Sequence, residues 1–469
     1  MWLMVFVLGC RSGAPTPDLF GPPPWHTSDS ASPDDTAETG ESGVEDTAPL
    51  RDAQDHIVRF TGDPPTNLLV LSVDTWRRDG TGYGSGVSGR SPFLDSLAHQ
   101  GVVLRRHRSC SNWTLVSMMC AMSGQSTVDL GYHPMSSGVP LPEELRFMVE
   151  YLTDHGYVSA MANGNAILSQ TGGFADGYQL YAGLQVEPAE VIVDNGMAML
   201  DDLQASNEPG TPWLLHLHFM DPHIPYDPPE AYLGALEGLG AISYDLAEGD
   251  AYDAIRADFK NMDEAQQALV LDHLWERYIG SGRYMDDQIA RLFDELTTRG
   301  ALDDTLVVMF ADHGEQFFEA GHLGHGATLQ AQEVPVPALF WSHDIVPADV
   351  TLPTSHLDLA PTMLSAMGFA VPEEMTGEVI GDFGKDRYVI AWDAFEPRVA
   401  QVAITQEASA LIYKFDGRFD YFRLDEDPEM LVDVLDRSDA EVHALWERLE
   451  PEMWRFAELL DRKPSNPSL

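Results

Sequence analysis

Leu306-Val307-Val308-Met309-Phe310-Ala311-Asp312-His313-Gly314 is an unbroken apolar run that ends on a carboxylate, an imidazole and a glycine. Apolar residues at successive positions suit a strand buried on both faces of a parallel sheet. The pattern occurs twice more. Leu68-Leu69-Val70-Leu71-Ser72-Val73 runs into Asp74, and Trp213 to Met220 runs into Asp221-Pro222-His223. Ligands of such sheets bind in the crevice beyond the carboxyl ends of the strands. The three runs therefore predict that acidic and histidine residues far apart in sequence meet at one rim, as a metal-centred ester-cleaving site requires.

Outward from these strands, helical and strand patterns alternate. Ser91-Pro92 opens a helix that ends at Gly101. Leu145, Met148, Val149 and Leu152 recur at helical spacing between Pro142 and Gly156, before a short strand from Tyr157 to Met161. Ile289, Leu292, Phe293 and Leu296 do the same between Met285 and Gly300, ahead of the Leu306 strand. Alternation of this kind predicts an α/β fold, with a doubly wound, mostly parallel sheet flanked by helices. Residues 232–275 read as an acidic, partly helical insertion. Beyond about residue 370 the pattern changes to short antiparallel strands at Tyr388–Ile390, Ala400–Thr405, Ala410–Phe415 and Tyr421–Leu424, then a helix from Asp439 to Leu460. The expected organisation is a signal peptide over 1–9, an acidic tether over 10–60, a catalytic domain over 61–370 and a small C-terminal antiparallel subdomain over 371–469.

The chain has 469 residues, 44% of them hydrophobic, enough for a full core. Its formal net charge is −48, from 75 acidic and 27 basic residues. Such a surface repels nucleic acid and anionic lipid, so nucleic acid is not an expected partner. An anionic substrate then needs local positive charge, most simply a bound metal. Cys10, Cys110 and Cys120 form no Cys-x-x-Cys pair, which excludes a zinc finger or a thioredoxin-like motif. Cys110 and Cys120 fit two small buried thiols, or a disulfide if the protein is exported.

Trp2 to Leu8 is apolar, and Val7-Leu8-Gly9-Cys10 resembles a lipobox. Residues 11 to about 60 are rich in Pro, Ser, Thr, Gly, Asp and Glu, too polar to bury a core. Together they predict an exported cell-envelope lipoprotein, periplasmic or on the outer surface, touching the membrane only through an N-terminal lipid anchor on Cys10. No later segment is apolar for long enough to span a bilayer.

Asp74, Asp312 and His313 stand at strand ends, and two carboxylates with one imidazole suit a divalent ion: Ca²⁺, Mn²⁺ or Zn²⁺. Thr114 opens a helical run that ends at Gly124. Its hydroxyl reads either as a simple N-cap or as a nucleophile, with free N–H groups at the helix start receiving an anionic ester. His223 lies between Pro222 and Pro225, which restrict its loop, and its imidazole reads either as a proton donor to a leaving group or as a group that holds an anionic oxygen. His322 and His325 lie in the glycine-rich stretch Gly321-His322-Leu323-Gly324-His325-Gly326, read as a flexible loop.

These blocks together resemble the sulfatase family of the alkaline-phosphatase-like superfamily. Asn67–Gly84 is similar to its opening strand and metal-ligand turn, Ser91–Leu104 to the helix that follows, and Trp113–Gly124 to its nucleophile helix. Pro212–Pro229 and Asp303–Gly326 match two further blocks, and the likeness covers roughly residues 65–440. The resemblance implies metal ligands at Asp74, Asp312 and His313, a nucleophile at Thr114, and catalytic histidines at His223 and His325. It implies an anionic ester as substrate. The chain also departs from the pattern. Sulfatases that use formylglycine need Cys or Ser, then Pro and Arg, where this chain has Thr114, Val116 and Met118, so no formylglycine is expected. Thr75 stands where a second Asp is common, and Ala162-Asn163-Gly164-Asn165-Ala166 replaces a Lys-x-His block. A Thr nucleophile with Asp, Asp and His resembles the phosphoethanolamine transferases, lipoteichoic-acid synthases and phosphodiesterases of the superfamily. Their chemistry implies phosphoryl transfer as an alternative to sulfate ester hydrolysis. Loss of the Arg and Lys positions leaves a catalytically inactive envelope protein as a third reading.

Overall fold

The three apolar runs become neighbouring central strands of one sheet. In chain order its strands are β1 (Asn67–Val73), β2 (Val102–Leu104), β3 (Val158–Asn163), β4 (Leu180–Gly183), β5 (Trp213–Phe219), β6 (Thr305–Ala311), β7 (Ala338–Trp341) and β8 (Ala348–Val350). They lie across the sheet as β8-β2-β7-β6-β1-β5-β3-β4. β1 sits between β5 and β6, parallel to both, with Ser72 opposite His218 on one side and Phe310 on the other. β7 runs antiparallel to β6 and β2. The computed structural model describes residues 57–134, 139–395, 398–465, 467 and 469. The expected signal peptide, Cys10 and the tether as far as residue 56 lie outside the described residues.

The two sheet faces carry different helices. Among the described residues the helices of seven or more residues are α1 (Pro92–Gln100), α2 (Thr114–Ser123), α3 (Met148–Asp154), α4 (Ala189–Ser206), α5 (Gly249–Asp258), α6 (Glu264–Thr298), α7 (Leu359–Ala366) and α8 (Ala440–Leu459). Leu68, Val70, Leu214, Leu306, Val308 and Phe310 point to the face covered by α2 and α7. Leu217, one residue out of phase, points the other way against α4: a Cβ on Gly196 would stand 2.3 Å from its Cδ2. α4 packs on α6, and α6 on α1. Helices on both faces are what fully apolar strands need.

A second, four-stranded antiparallel sheet follows: β9 (Tyr388–Asp393), β10 (Gln401–Gln406), β11 (Ser409–Lys414) and β12 (Phe419–Arg423). Ile404, Leu411 and Tyr413 share one buried core with Val442, Leu449 and Phe456 of α8, and that core continues into α2.

Several expectations shift. The helix expected over 285–300 is the last part of α6, a 35-residue helix capped by Asp263, which takes in the end of the acidic insertion. The helix expected from Pro142 begins only at Met148. Packing begins before Asn67: Phe60 bridges Ile345, and Val58 is buried. Cys110 and Cys120 are paired in a disulfide rather than being two free thiols. Their side chains meet because α2 turns back beside the segment that leads into it. Ten residues of sequence separate the two sulfurs, and closing a ring of that size stabilises a fold by about 3 kcal/mol.

Candidate active site

Asp74 and Asp312 directly follow β1 and β6, so parallel pairing brings both to the same end of the sheet. Their backbones are joined to it by Asp74 N–H to Phe219 O (2.9 Å) and Asp312 N–H to Val73 O (2.9 Å). Thr75 then turns the chain with φ 53, a strained value for a β-branched residue. The turn aims the Thr75 amide at Asp312 Oδ1, at 3.1 Å, and the His313 amide reaches the same oxygen at 2.6 Å. The other carboxylate oxygen, Asp312 Oδ2, has no hydrogen-bond partner, and neither has Asp74 Oδ1.

Thr114 is the first residue of α2, and Trp113 holds the N-cap position. The capping reading of the Thr114 hydroxyl therefore fails, because its side chain is turned away from the helix. Its Oγ1 lies 3.4 Å from Asp74 Oδ2 and 3.3 Å from His313 Nε2. His313 Nδ1 donates to Gly314 O at 3.0 Å, which leaves Nε2 with its lone pair toward Thr114. His313 Nε2 is also 3.5 Å from Asp312 Oδ2 and 4.0 Å from Asp74 Oδ1. Thr114 is 3% exposed, and Asp74, Asp312 and His313 are fully buried.

His223 and His325 stand above this floor and are half-buried. The His325 ring lies 4.5 Å from that of His313 and 5.3 Å from that of His223. His223 Nδ1 donates to Ile224 O at 2.6 Å, and His325 Nδ1 to Glu315 Oε1 at 3.2 Å. All six residues singled out from sequence are thus gathered at one sheet end. The stretch around His322 and His325 is a short hairpin rather than a free loop: Leu323–Gly324 pairs with Gln316–Phe317. It is held by two arginines. Arg256 of α5 donates to Leu323 O at 2.9 Å, and Arg398 donates to His325 O at 2.7 Å and to His322 Nε2 at 3.2 Å. A Cβ on Gly324 would lie 3.1 Å from the Arg256 guanidinium, and one on Gly326 would lie 3.2 Å from that of Arg398.

Two further residues reach the floor without having been singled out. Asn165 Nδ2 donates to Asp74 Oδ2 at 2.6 Å and lies 3.5 Å from Thr114 Oγ1. Its Oδ1 caps the short helix Ala166–Gln170 by accepting from the Ile167 and Leu168 amides, which fixes the amide the right way round. The other is His218, whose Nε2 is 3.6 Å from Asp74 Oδ2 and unpartnered. Asp74, His218 and Asp312 each offer one ligand atom, all within 4.8 Å of one another.

The electrostatics fit a cation. Burial opposes ionisation of Asp74, but the His218 contact and the nearby His223 and His313 hold it well below the usual carboxylate range. Burial and the Asp74 charge push Asp312 well above that range. Two buried carboxylates this close repel when both are ionised, and a divalent ion between them removes the repulsion. With Asp74 Oδ1, Asp312 Oδ2 and His218 Nε2 all bare, the donor set fits such an ion. Burial lowers His223, yet the Asp74 and Glu315 charges leave it raised above the ordinary histidine value. Burial together with His313 and His223 pushes His325 well below it.

The family model described as Sulfatase matches residues 66–369. The choline-sulfatase of Rhizobium meliloti (strain 1021) is 27% identical over 238 residues, 49% of this chain and 45% of that protein, so the match spans about half of each. Among solved structures, BT4656 in complex with its substrate D-glucosamine-2-N,6-O-disulfate superposes with TM-score 0.67 at 15% identity, covering 86% of this chain and 99% of that one. The phosphonate monoester hydrolase SpPMH from Silicibacter pomeroyi superposes with TM-score 0.63 at 20% identity, covering 86% and 97%.

Proposed function

The chain belongs to the sulfatase family, and from that premise we propose that it is a metal-dependent hydrolase that cleaves sulfate or phosphate esters with Thr114 as nucleophile. One observation carries this reading: the Thr114 hydroxyl at the start of α2 lies between Asp74 Oδ2 and His313 Nε2, at 3.4 and 3.3 Å. A hydroxyl without formylglycine favours phosphate esters, which matches the phosphoryl-transfer branch that the Asp74, Thr114, Asp312 and His313 set resembles.

Asp74, Asp312, His313 and Thr114 would hold the ion, with His218 beside them. When bound, such an ion lowers the pKa of a coordinated hydroxyl and neutralises charge on the transferred group. The protein's own groups do the rest. Thr114 Oγ gives up its hydroxyl proton to solvent and attacks phosphorus, a P–Oγ bond forms, and the bond to the leaving oxygen breaks. Asn165 Nδ2 keeps the hydroxyl oriented. His223, with its raised pKa, supplies a proton to the leaving oxygen, and His325 holds the ester from the rim. Water then attacks the Thr ester and breaks the P–Oγ bond, one of its protons going to Thr114 Oγ and the other staying on the released phosphate, and His223 regains its proton from solvent. The free amides at the start of α2 receive the anionic group.

The test is turnover of the purified protein and its Thr114→Ala variant on matched aryl sulfate, phosphate monoester and phosphate diester substrates with Mn²⁺, Zn²⁺ or Ca²⁺. Phosphate ester cleavage that needs Thr114 supports the reading, and cleavage that survives Thr114→Ala with a normal melting curve removes the nucleophile. Export to an oxidising compartment, with Cys10 lipidated, belongs to the same proposal, and the Cys110–Cys120 disulfide supports it.

A further inference from the structure

A row of buried polar groups continues behind the floor and takes part in none of the steps above. His216 and His218 occupy alternate positions of β5 and so share one sheet face, with Ser72 of β1 between them; all three are fully buried. Ser72 Oγ lies 2.8 Å from His216 Nε2 and 2.7 Å from His218 Nδ1. His216 Nδ1 lies 2.7 Å from the hydroxyl of Tyr178, which is half-buried. The row is thus Tyr178–His216–Ser72–His218, and its inner end is the bare His218 Nε2 facing Asp74 Oδ2 at 3.6 Å. Ordinary sheet packing would fill these positions with apolar side chains, as at the neighbouring Leu215 and Leu217.

The inventory of protons limits what the row can do. Ser72 has one hydroxyl proton, so it donates to one imidazole and accepts from the other. In one direction Tyr178 donates to His216, His216 to Ser72 and Ser72 to His218, which places a proton on His218 Nε2. In the other, His218 Nδ1–H donates to Ser72, Ser72 to His216 Nε2, and His216 Nδ1–H to the Tyr178 oxygen. The phenol proton then turns outward at the half-buried end, and His218 Nε2 keeps its lone pair. An imidazole binds a cation only through a bare nitrogen, and the bond made by its other nitrogen decides which one is bare.

We propose that Tyr178, His216 and Ser72 are positioning residues that set the tautomer of His218, making His218 Nε2 a nitrogen ligand of the ion at Asp74 and Asp312 and biasing the site toward Zn²⁺ over Ca²⁺. Ca²⁺ takes oxygen ligands, whereas Zn²⁺ accepts imidazole readily. With His313 the site then offers two nitrogens. The inference rests on the reading that a divalent ion binds here, but not on what the enzyme cleaves.

The test measures Zn²⁺ and Ca²⁺ affinity of the full chain by competition with a chelating indicator, in wild type, Ser72→Ala and Tyr178→Phe, with a melting curve for each. Wild type binds Zn²⁺ more tightly. Ser72→Ala lowers Zn²⁺ affinity about 10–100-fold and leaves Ca²⁺ affinity nearly unchanged, so the ratio between the ions collapses. Tyr178→Phe moves the ratio the same way by a smaller factor and serves if Ser72→Ala does not fold. The visible absorption of bound Co²⁺ changes with both variants. The proposal is overturned if wild type does not prefer Zn²⁺, if both affinities fall by one factor, or if Zn²⁺ affinity ignores the substitutions. Ser72-dependent Zn²⁺ binding in a protein that cleaves no ester keeps this inference and removes the hydrolase reading. Ester cleavage with Ser72-independent Zn²⁺ binding does the reverse.

Discussion

Asp74, Asp312 and His313 are fully buried at strand ends, with the Asp74 and Asp312 amides bonded to sheet backbone and the His313 amide to the Asp312 carboxylate. His223, His322, His325 and Arg398 are half-buried and come from a loop, a hairpin and the segment after β9. The floor is therefore set by sheet register, whereas the rim depends on parts added to the sheet, α5 with Arg256 and the C-terminal sheet with Arg398. The contrast teaches a division of work. On the proposed reading the floor supplies the nucleophile and the ligands of the ion, and the rim supplies the proton donor His223 and the groups that hold the ester.

The largest effect that sharpens this division is at the nucleophile. Thr114→Ala is expected to lower kcat by at least about 1,000-fold while thermal unfolding shifts little, as steady-state kinetics and calorimetry would record. Asp312→Asn should come next. It removes one anionic ligand, so metal content per chain should drop on elemental analysis, and activity should return only at much higher ion concentration. At the rim the effect should be smaller and of another kind. Arg398→Gln is expected to raise KM about threefold to tenfold with kcat nearly unchanged, the pattern of lost uniform binding. A kcat loss there as large as that of Asp312→Asn would break the distinction between floor and rim. The smallest effect is on stability. Thr75 carries a positive φ and an unpaired buried hydroxyl. Thr75→Gly should relieve about 1 kcal/mol of strain and raise the melting midpoint slightly; a lower midpoint would mean that the Thr75 side chain supports the floor.

Much of the floor is legible in the sequence because strand and ligand are contiguous there. An apolar run followed directly by Asp74 or by Asp312-His313 states both the burial and the end at which it stops. Thr114 reads ambiguously, since a hydroxyl at a helix start is equally a cap, and only the orientation of its side chain toward Asp74 decides between them. Asn165 is harder, because it is a true helix cap and a site residue at once, its oxygen serving one role and its nitrogen the other. His216 and His218 look like interruptions of an apolar strand until β1 supplies Ser72 between them. Arg256 and Arg398 give no local signal. The first lies in an acidic insertion and the second beyond the catalytic blocks, and tertiary packing alone brings them to the histidine hairpin.

The bond between Cys110 and Cys120 closes a ring of main chain, and Thr114 is inside that ring. The segment that presents the reactive hydroxyl is thereby fastened at both ends, while Trp392 N–H grips Cys110 O at 2.8 Å from the C-terminal sheet. If Thr114 is the nucleophile as proposed, forming this bond and seating that residue are one event. Protein produced under reducing conditions carries every residue of the site and lacks the clasp that holds the central one, so an assay of such material measures the preparation as much as the catalyst.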